Sequence, residues 1–191
     1  AGQVLQTGGS GANPSWGTVS SDFVKLASVN QTSDTSGINF ESFIDNSTYA
    51  SYYIKVRGLR TSSYNTTMRM LTGTNTEYTS SHYRHASHGR SSTQDGHSEE
   101  NSRWRFTAGY HANTGNDNKG CMLDLWLDAD ANKAATFNSL WCNPFYNSNS
   151  DKVVFGAAGG VNVTTQTWTG VRLYADGGTI NKAKVEIYGL K

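Results

Sequence analysis

The sequence contains little of what several common protein classes require. Of its 191 residues only 2 are proline and 2 are cysteine, and the four charged residue types together make up 16%. Two cysteines are too few for a scaffold held together by disulfides. No apolar run approaches the length of a membrane span. The chain is therefore expected to fold around an ordinary apolar core, which 191 residues are enough to build.

The balance of charge also excludes one class of partner. Sixteen basic and fifteen acidic residues give a formal net charge of +1, whereas non-specific nucleic-acid binding needs a clear basic excess. We expect no nucleic-acid partner. Basic residues and histidines are concentrated between Lys55 and Arg105, and this stretch forms either a basic face or an ordinary solvated sheet face.

Alternation of apolar and polar residues replaces helical periodicity along almost the whole chain, and Ser, Thr, Asn, Gly and Tyr are abundant. This pattern predicts about a dozen short strands separated by turns, which is typical of an all-β antiparallel sandwich or barrel. The predicted strands are Asp22–Val29, Ile38–Ile44, Tyr52–Leu59, Met68–Met70, Glu77–His85, Arg103–Tyr110, Met122–Asp128, Val153–Phe155, Val161–Thr165, Val171–Tyr174 and Lys182–Tyr188.

Three connecting segments carry their own expectations. Asp176-Gly177-Gly178 joins two alternating strands and predicts a tight hairpin. Ser87–Ser102 is the longest polar stretch and predicts a mobile or functional loop. Ile44–Tyr52 is the single helix candidate, with a short 3₁₀ turn at Asp45–Tyr49 as the alternative.

The first residues, AGQVLQTGGSGANPSW, predict two short strands around a Gly/Ser-rich turn. They contain neither the charged region nor the apolar region of a signal peptide. We interpret residues 1–21 as a joint, through which the chain would connect to a longer protein. Residues 22–191 are then expected to form one head domain.

The two cysteines lie in apolar, aromatic surroundings. Cys121 precedes Met-Leu-Asp-Leu-Trp, and Cys142 follows Leu-Trp. We expect both to be buried thiols that pack as small hydrophobic residues. Sequence alone does not place their Cα atoms within bonding range, so a disulfide stays open.

Sequence motifs for metal binding and catalysis are weak. His82, His85 and His88 resemble a zinc pattern, but residues three apart on one strand point to opposite faces. The acidic segment from Asp128 lacks the glycine and glutamate of a calcium loop. No nucleophile elbow or phosphate-binding glycine loop is present in the sequence. We therefore expect no enzyme activity, no cofactor and no metal site, although histidines on a symmetry axis stay an open alternative.

Aromatic residues offer a better indication of binding. Exposed Tyr and Trp beside polar side chains are typical of sugar and protein recognition, although most aromatic residues pack inside a sandwich or against other subunits. Six aromatic residues cannot all belong to the core: Tyr78, Tyr83, Trp126, Trp141, Tyr146 and Trp168. The candidate ligand-binding residues are Tyr83, His85, His88, Arg90, Trp141 and Tyr146.

Both ends of the chain resemble proteins of one group. The segment Gly2-Gln-Val-Leu to Gly11 and Trp16 is similar to an element of tail-fibre and other virion proteins of tailed bacteriophages, especially marine and cyanobacterial ones. The segments Trp168–Ile180 and Val185–Lys191 resemble the closing hairpin of the same proteins. The middle of the chain matches poorly.

The resemblance implies a jelly-roll-like β-sandwich, forming a homotrimer at the distal end of a fibre in the extracellular virion. It implies a receptor-binding domain without enzyme activity, whose ligand is a host-surface polysaccharide or outer-membrane receptor. Other virion proteins would be bound through the N-terminus. Two alternatives are a capsid decoration or knob protein, which needs no glycan, and a free lectin-like carbohydrate-binding module, which would be a monomer or dimer with a sugar groove.

Overall fold

The computed structural model describes residues 3–18, 21–45, 47–62, 65–90, 95–106, 120–129, 133–147 and 150–191, with the backbone alone at 18, 65, 89–90, 95–100, 133, 138–147 and 150–154. All regular structure in these ranges is β-strand, and none of it is a helix that could span a membrane. The strands are β1 (Gln3–Gln6), β2 (Ser15–Thr18), β3 (Phe23–Gln31), β4 (Gly37–Phe40), β5 (Ser51–Thr61), β6 (Asn65–Thr72), β7 (Thr76–Glu77), β8 (Tyr83–Arg90), β9 (Asp95–Glu100), β10 (Trp104–Arg105), β11 (Cys121–Asp128), β12 (Lys133–Asn147), β13 (Ser150–Gln166), β14 (Trp168–Asp176) and β15 (Ile180–Leu190).

The described strands form two main sheets and one hairpin. The large sheet has the order β3-β15-β5-β11-β12-β13-β8-β9, and the small sheet has the order β10-β6-β14-β4 with β7 beside β6. β1 pairs with β2 around a turn in which Gly9 and Gly11 have φ values of 96° and 88°. The strand pairs are antiparallel and the two main sheets have a sandwich-like arrangement, which confirms the predicted all-β class.

The chain crosses repeatedly between the two sheets. It passes from the large sheet to the small one between β3 and β4 and between β5 and β6, and it returns between β10 and β11 and between β14 and β15. The predicted hairpin at 176–178 is therefore wrong, as is a closing hairpin at the end of the chain. β14 pairs with β4 and β6, whereas β15 pairs with β3 and β5. The turn around Gly177 (φ 74°) carries the chain from one sheet to the other.

The core lies between the sheets and follows the predicted alternation. Leu123, Leu125 and Leu127 of β11 are 0–1% exposed, while Trp126 between them faces outward at 44%. Cys121 is buried, as expected, and its thiol lies 3.6 Å from the Met122 carbonyl oxygen. The Cys142 side chain lies outside the described part. The core residues of the central strands include Tyr52, Ile54, Val56, Met68, Met70, Val171, Leu173, Ala183, Val185 and Ile187.

A buried aromatic cluster fills one end of the core. The Trp104 ring centroid lies 4.7 Å from that of Phe137 and 5.4 Å from that of Tyr83, and Phe106 stands edge-on to Phe137 at 5.3 Å. All four side chains are 0–2% exposed. The Tyr83 hydroxyl donates to the Tyr78 carbonyl oxygen and accepts from the Met70 N–H, both at 2.9 Å. Every polar atom of this phenol group is thereby satisfied in the core.

The structure differs from the prediction in two segments between residues 77 and 102. The predicted strand Glu77–His85 is wrong, because β7 ends at Glu77, a turn follows, and β8 begins at Tyr83. The predicted loop Ser87–Ser102 is largely strand, since β8 pairs with β9 from His85↔Glu100 to Arg90↔Asp95. Residues 91–94 of that stretch lie outside the described part. Polar residues form β8 because it pairs with β13 and β9 and buries Tyr83, His85 and Ser87 on its inner side.

The segment 44–52 also contains no helix in its described residues. The Tyr49 N–H donates to the Asp45 carbonyl oxygen at 3.0 Å, and the Asp45 carboxylate accepts from the Ser47 and Thr48 hydroxyls. This single turn is followed directly by β5 at Ser51. The short turn is therefore the better of the two predicted alternatives.

The hairpin of β12 and β13 is longer than the sequence predicts. The sequence indicated only Val153–Phe155 and Val161–Thr165, whereas β13 runs continuously from Ser150 to Gln166. Its Gly/Ala-rich middle has low intrinsic strand propensity, and pairing on both sides overrides this preference. A Cβ atom at Gly160 would lie 2.4 Å from the Arg84 carbonyl oxygen, so glycine permits the close approach of β8.

Ion pairs cover the outer face of the small sheet. Glu77 accepts from Arg69 and, at 3.1 Å, from Arg172. Both guanidinium groups also lie over the Tyr174 ring, at 5.2 and 5.9 Å from its centroid. These charged groups have partners within the chain, and Tyr174 beneath them is only 8% exposed.

Replacing Gly170 with alanine is expected to destabilise the sandwich by about 1–3 kcal/mol, because the new Cβ overpacks a contact between strands. It would lie 2.0 Å from the Phe40 carbonyl oxygen, which is backbone and cannot rotate away. Chemical denaturation measures the change. Gly177→Ala measures backbone strain without a steric contact, because its Cβ meets nothing within 4 Å and its φ of 74° costs about 1–2 kcal/mol. An unchanged midpoint for Gly170→Ala would contradict the close approach of β4 and β14.

Candidate functional site

The structure separates the six residues predicted to bind a ligand. Tyr83 is fully buried and belongs to the core, so it is not available to a receptor, and burial raises the pKa of its phenol. His85 is 7% exposed on the inner side of β8, whereas His88 is exposed on the outer side. For Arg90, Trp141 and Tyr146 only the backbone is described. It places β8 and β12 on opposite sides of β13.

The histidines do not form a metal centre in the described structure. His82 lies in the turn before β8, and its Nδ1 lies 2.6 Å from the Ser80 hydroxyl and 2.8 Å from the Tyr78 hydroxyl. His85 and His88 point to opposite sides of the sheet. Among the described residues no group of three or more His, Cys, Asp or Glu side chains is arranged to hold a metal ion.

A different group of side chains forms an exposed cluster on the large sheet. We call Phe23, Tyr53, Trp126 and Tyr188 the aromatic face. The Tyr53 ring centroid lies 4.9 Å from Trp126 and 6.1 Å from Tyr188. Phe23 stands edge-on to the other three, at 6.2–6.4 Å. Edge-on and offset contacts of this kind are the favourable geometries for aromatic pairs.

The strand pattern places these rings on one surface. Tyr53 alternates with the buried Tyr52 and Ile54, and Trp126 and Tyr188 alternate in the same way with buried neighbours on β11 and β15. Tyr53 is the register partner of both Tyr188 and Trp126. Three adjacent strands therefore contribute one ring each to a single row across the sheet. Such cross-strand neighbours lie close enough to interact.

The exposure of this cluster distinguishes it from ordinary surface packing. Phe23 is 45% exposed and Trp126 is 44% exposed, while Tyr53 and Tyr188 are half-buried. Neighbouring rings hold one another in place and still leave much apolar surface open to solvent. Contiguous exposed aromatic surface with a polar rim is typical of a binding site.

Charged groups form the rim along one side of the row. The Asp124 carboxylate accepts from the Tyr53 hydroxyl and, at 2.8 Å, from Arg57 Nη2. Glu186 accepts from Lys25 at 2.7 Å. Lys55 is the register partner of both Glu186 and Asp124. The rim therefore presents donors and acceptors two residues along the strands from the aromatic row.

The rim is electrostatically coupled to the row through Asp124. Partial burial alone would raise the pKa of this carboxyl, but hydrogen bonds from Tyr53 and Arg57 and the charges of Arg57 and Lys55 more than offset that effect. The pKa of Asp124 therefore lies below its ordinary value of 3.8. Burial and the same carboxylate raise the pKa of the Tyr53 phenol. Tyr53 thus stays a neutral hydrogen-bond donor at physiological pH.

This coupling predicts a pH dependence of stability. Because the folded pKa of Asp124 is lowered, its contribution is present above 3.8 and is lost as the pH falls through the folded pKa. The difference in free energy of unfolding between the protein and the Asp124→Asn variant is expected to shrink between about pH 6 and about pH 3. Urea denaturation at several pH values measures it. A difference that stays constant would contradict the contacts with Tyr53 and Arg57.

Sequence reasoning found only part of this site. Trp126 is among the aromatic residues that the sequence indicates, whereas Phe23, Tyr53 and Tyr188 lie in strands with no distinguishing motif. The available signal was an outward-facing aromatic residue on each of three strands. Their strand order and register come only from the tertiary structure.

The exposed rings and the charged rim beside them are suited to binding a ligand. Flat rings can stack on the apolar face of a ring-shaped ligand, while the rim hydrogen-bonds to its hydroxyl groups. Comparison of the chain with protein-family models, curated proteins and solved structures found no match.

Proposed function

We propose that the chain is a non-enzymatic receptor-binding domain at the tip of a bacteriophage tail fibre, and that it holds a host-surface glycan on the aromatic face. The observation that carries the proposal is the row of Tyr188, Tyr53 and Trp126 across three strands, with Trp126 44% exposed. Sugars present alternating apolar ring faces and hydroxyl groups. A row of aromatic rings beside a hydrogen-bonding rim complements both features.

The strand order supports the proposed jelly-roll-like architecture. β3, β15, β5 and β11 are neighbours in the large sheet, and β4, β14, β6 and β10 are neighbours in the small sheet. Among the described strands, each strand of the first set is next in chain order to one of the second: β3 and β4, β5 and β6, β10 and β11, β14 and β15. A double-sheet jelly roll has two such four-stranded layers. The hairpin of β12 and β13, with β8 and β9, extends the large sheet beyond them.

The first hairpin supports the proposed homotrimer and the attachment to other virion proteins. β1 and β2 pair with each other and with no other described strand. Leu5 and Trp16 are register partners, and they are 58% and 67% exposed. An isolated two-stranded hairpin is marginally stable in water. Association through this hairpin, in a trimer on an extracellular virion, would cover its apolar side chains.

Multivalency would then supply the avidity that an open surface lacks. An open sheet face binds each sugar weakly, because it surrounds only one side of the ligand. Three copies on one fibre tip raise the effective affinity without any new contact. A free lectin-like module would use the same face as a monomer or dimer, and a capsid decoration protein would not use it at all.

Two measurements on the intact chain test the proposal. Light scattering is expected to give the mass of a trimer, and an array of bacterial capsular and O-antigen polysaccharides is expected to show specific binding. A monomer or dimer that binds the array would favour the free carbohydrate-binding module. A protein that binds neither the array nor bacterial cells would overturn the proposed glycan function.

A further inference from the structure

We propose that the aromatic face takes the interior of one extended, soluble polysaccharide chain that runs across the strands, rather than a chain end or a crystalline surface. This inference rests on the proposed function, because it specifies the class of glycan that the same site binds. Four features of the site carry it: the direction of the row, its two sides, its twist and the sheet surface beyond Trp126.

The direction of the row sets the direction of the ligand. Tyr188, Tyr53 and Trp126 lie on neighbouring strands, with centroid separations of 6.1 and 4.9 Å. Strands in a sheet are spaced roughly 4.8 Å apart, which is close to the repeat of ring-shaped sugars in an extended chain. Successive sugars can therefore meet successive rings only if the chain lies perpendicular to the strands.

The two sides of the row leave space for one chain. Phe23 is the register partner of Leu190, two residues beyond Tyr188 on β15, and its ring is edge-on to the row at 66–83°. Glu186, with its Lys25 partner, lies two residues from Tyr188 in the opposite direction. The row therefore has an apolar side and an ionic side. A second chain packed beside the first would have to displace one of them.

The twist of the row disfavours a crystalline ligand. The Tyr53 ring is inclined by 35° to Trp126 and by 28° to Tyr188. These inclinations are comparable to the rotation between neighbouring strands in a twisted sheet, roughly 20–25°. A flat crystalline surface would contact one ring at a time. A single chain in solution can rotate about its glycosidic bonds and follow all three.

The line of register partners continues beyond Trp126 through Asn138 to two small residues, Gly159 and Ala86. Trp126 pairs with Asn138, Asn138 with Gly159, and Gly159 with Ala86. Gly159 and Ala86 have no large side chain that would project from this part of the sheet surface. A polymer can therefore extend past the aromatic rings in this direction, whereas a site for a chain end would require a barrier.

A size series of oligosaccharides tests the inference. The probes are size-fractionated oligosaccharides made by partial acid hydrolysis of the array polysaccharide that binds most strongly, with microcrystalline cellulose as the crystalline surface. Affinity measured by calorimetry is expected to rise at least tenfold from the disaccharide to about four sugar units and then to level off. Binding to cellulose is expected to be at background.

Two results would overturn the inference and leave the proposed function intact. One is a monosaccharide or disaccharide that binds as tightly as the longer probes, and the other is retention on cellulose comparable to the soluble polymer. If no array polysaccharide binds, the proposed function itself fails, and the inference fails with it. The outcomes are therefore distinguishable.

The side formed by Phe23 provides a second, independent variant. Phe23→Ala is expected to weaken binding of the four-unit probe about tenfold, because one side of the row is lost. Phe155→Ala is the matched control, since Phe155 is 62% exposed on β13 of the same sheet but lies outside the row. Tighter binding by Phe23→Ala would show that Phe23 covers the row instead of bordering it, and would overturn the inference.

Discussion

The Trp126→Ala variant is expected to lose at least 30-fold in glycan affinity, which corresponds to about 2 kcal/mol, the loss typical of an aromatic hot-spot residue. Trp126 forms one end of the aromatic row and is its most exposed ring, at 44%. Removing it takes away the largest stacking surface and also the 4.9 Å support of Tyr53. Calorimetric titration with the strongest array polysaccharide measures the loss.

The fold should survive this substitution. Trp126 lies on the outer side of β11, whereas the flanking Leu125 and Leu127 hold that strand to the core. Phe155→Ala is the matched control, because Phe155 is 62% exposed on β13 of the same sheet but lies outside the row. Its site affinity should be unchanged. Equal losses in the two variants, or none in Trp126→Ala, would contradict the assignment of the aromatic face.

The Trp104→Ala variant is expected to lose about 3–5 kcal/mol of unfolding free energy, the range for truncating a fully buried large aromatic residue. Trp104 is 0% exposed, and its ring contacts Phe137 of the large sheet and Tyr83 of β8. Truncation would leave a cavity where the small sheet meets the large one. The midpoint and slope of a guanidinium denaturation curve measure the loss.

A conservative replacement of Trp104 distinguishes a loss of packing from a loss of the whole fold. Trp104→Phe keeps an aromatic ring at the same place and should lose clearly less stability than Trp104→Ala. Trp126→Ala serves as the exposed tryptophan control and should stay within about 1 kcal/mol of the parent chain. A Trp104→Ala variant that unfolds at the parent midpoint would contradict the described core.

Alternation made much of this fold predictable from sequence. β5, β11 and β15 each alternate buried and exposed residues over seven or more positions, and each was predicted within a few residues of its observed bounds. The Gly/Ala-rich part of β13 carries no such pattern. Glycine has no side chain and alanine only a methyl group, so neither indicates which face of the strand is buried. Its length became visible only through pairing with β12 and β8.

The connections and the candidate site were less predictable. The glycines at 177 and 178 fit a tight hairpin, and local sequence cannot indicate that β14 and β15 join different sheets. Tyr83 has the residue type of a binding residue, but its hydroxyl is satisfied inside the core. Tyr53 and Tyr188 form a site because of the register between β5 and β15, which is a tertiary property.

The most direct test of the central claim is to map the glycan contact by NMR. The chain is titrated with the strongest array polysaccharide while the aromatic side-chain resonances are followed. We expect the resonances of Tyr53, Trp126 and Tyr188 to shift at the same ligand concentration, with those of Tyr174 on the outer face of the small sheet unchanged. Shifts confined to Tyr174 or to Trp16, with the aromatic face unperturbed at saturation, would contradict this claim.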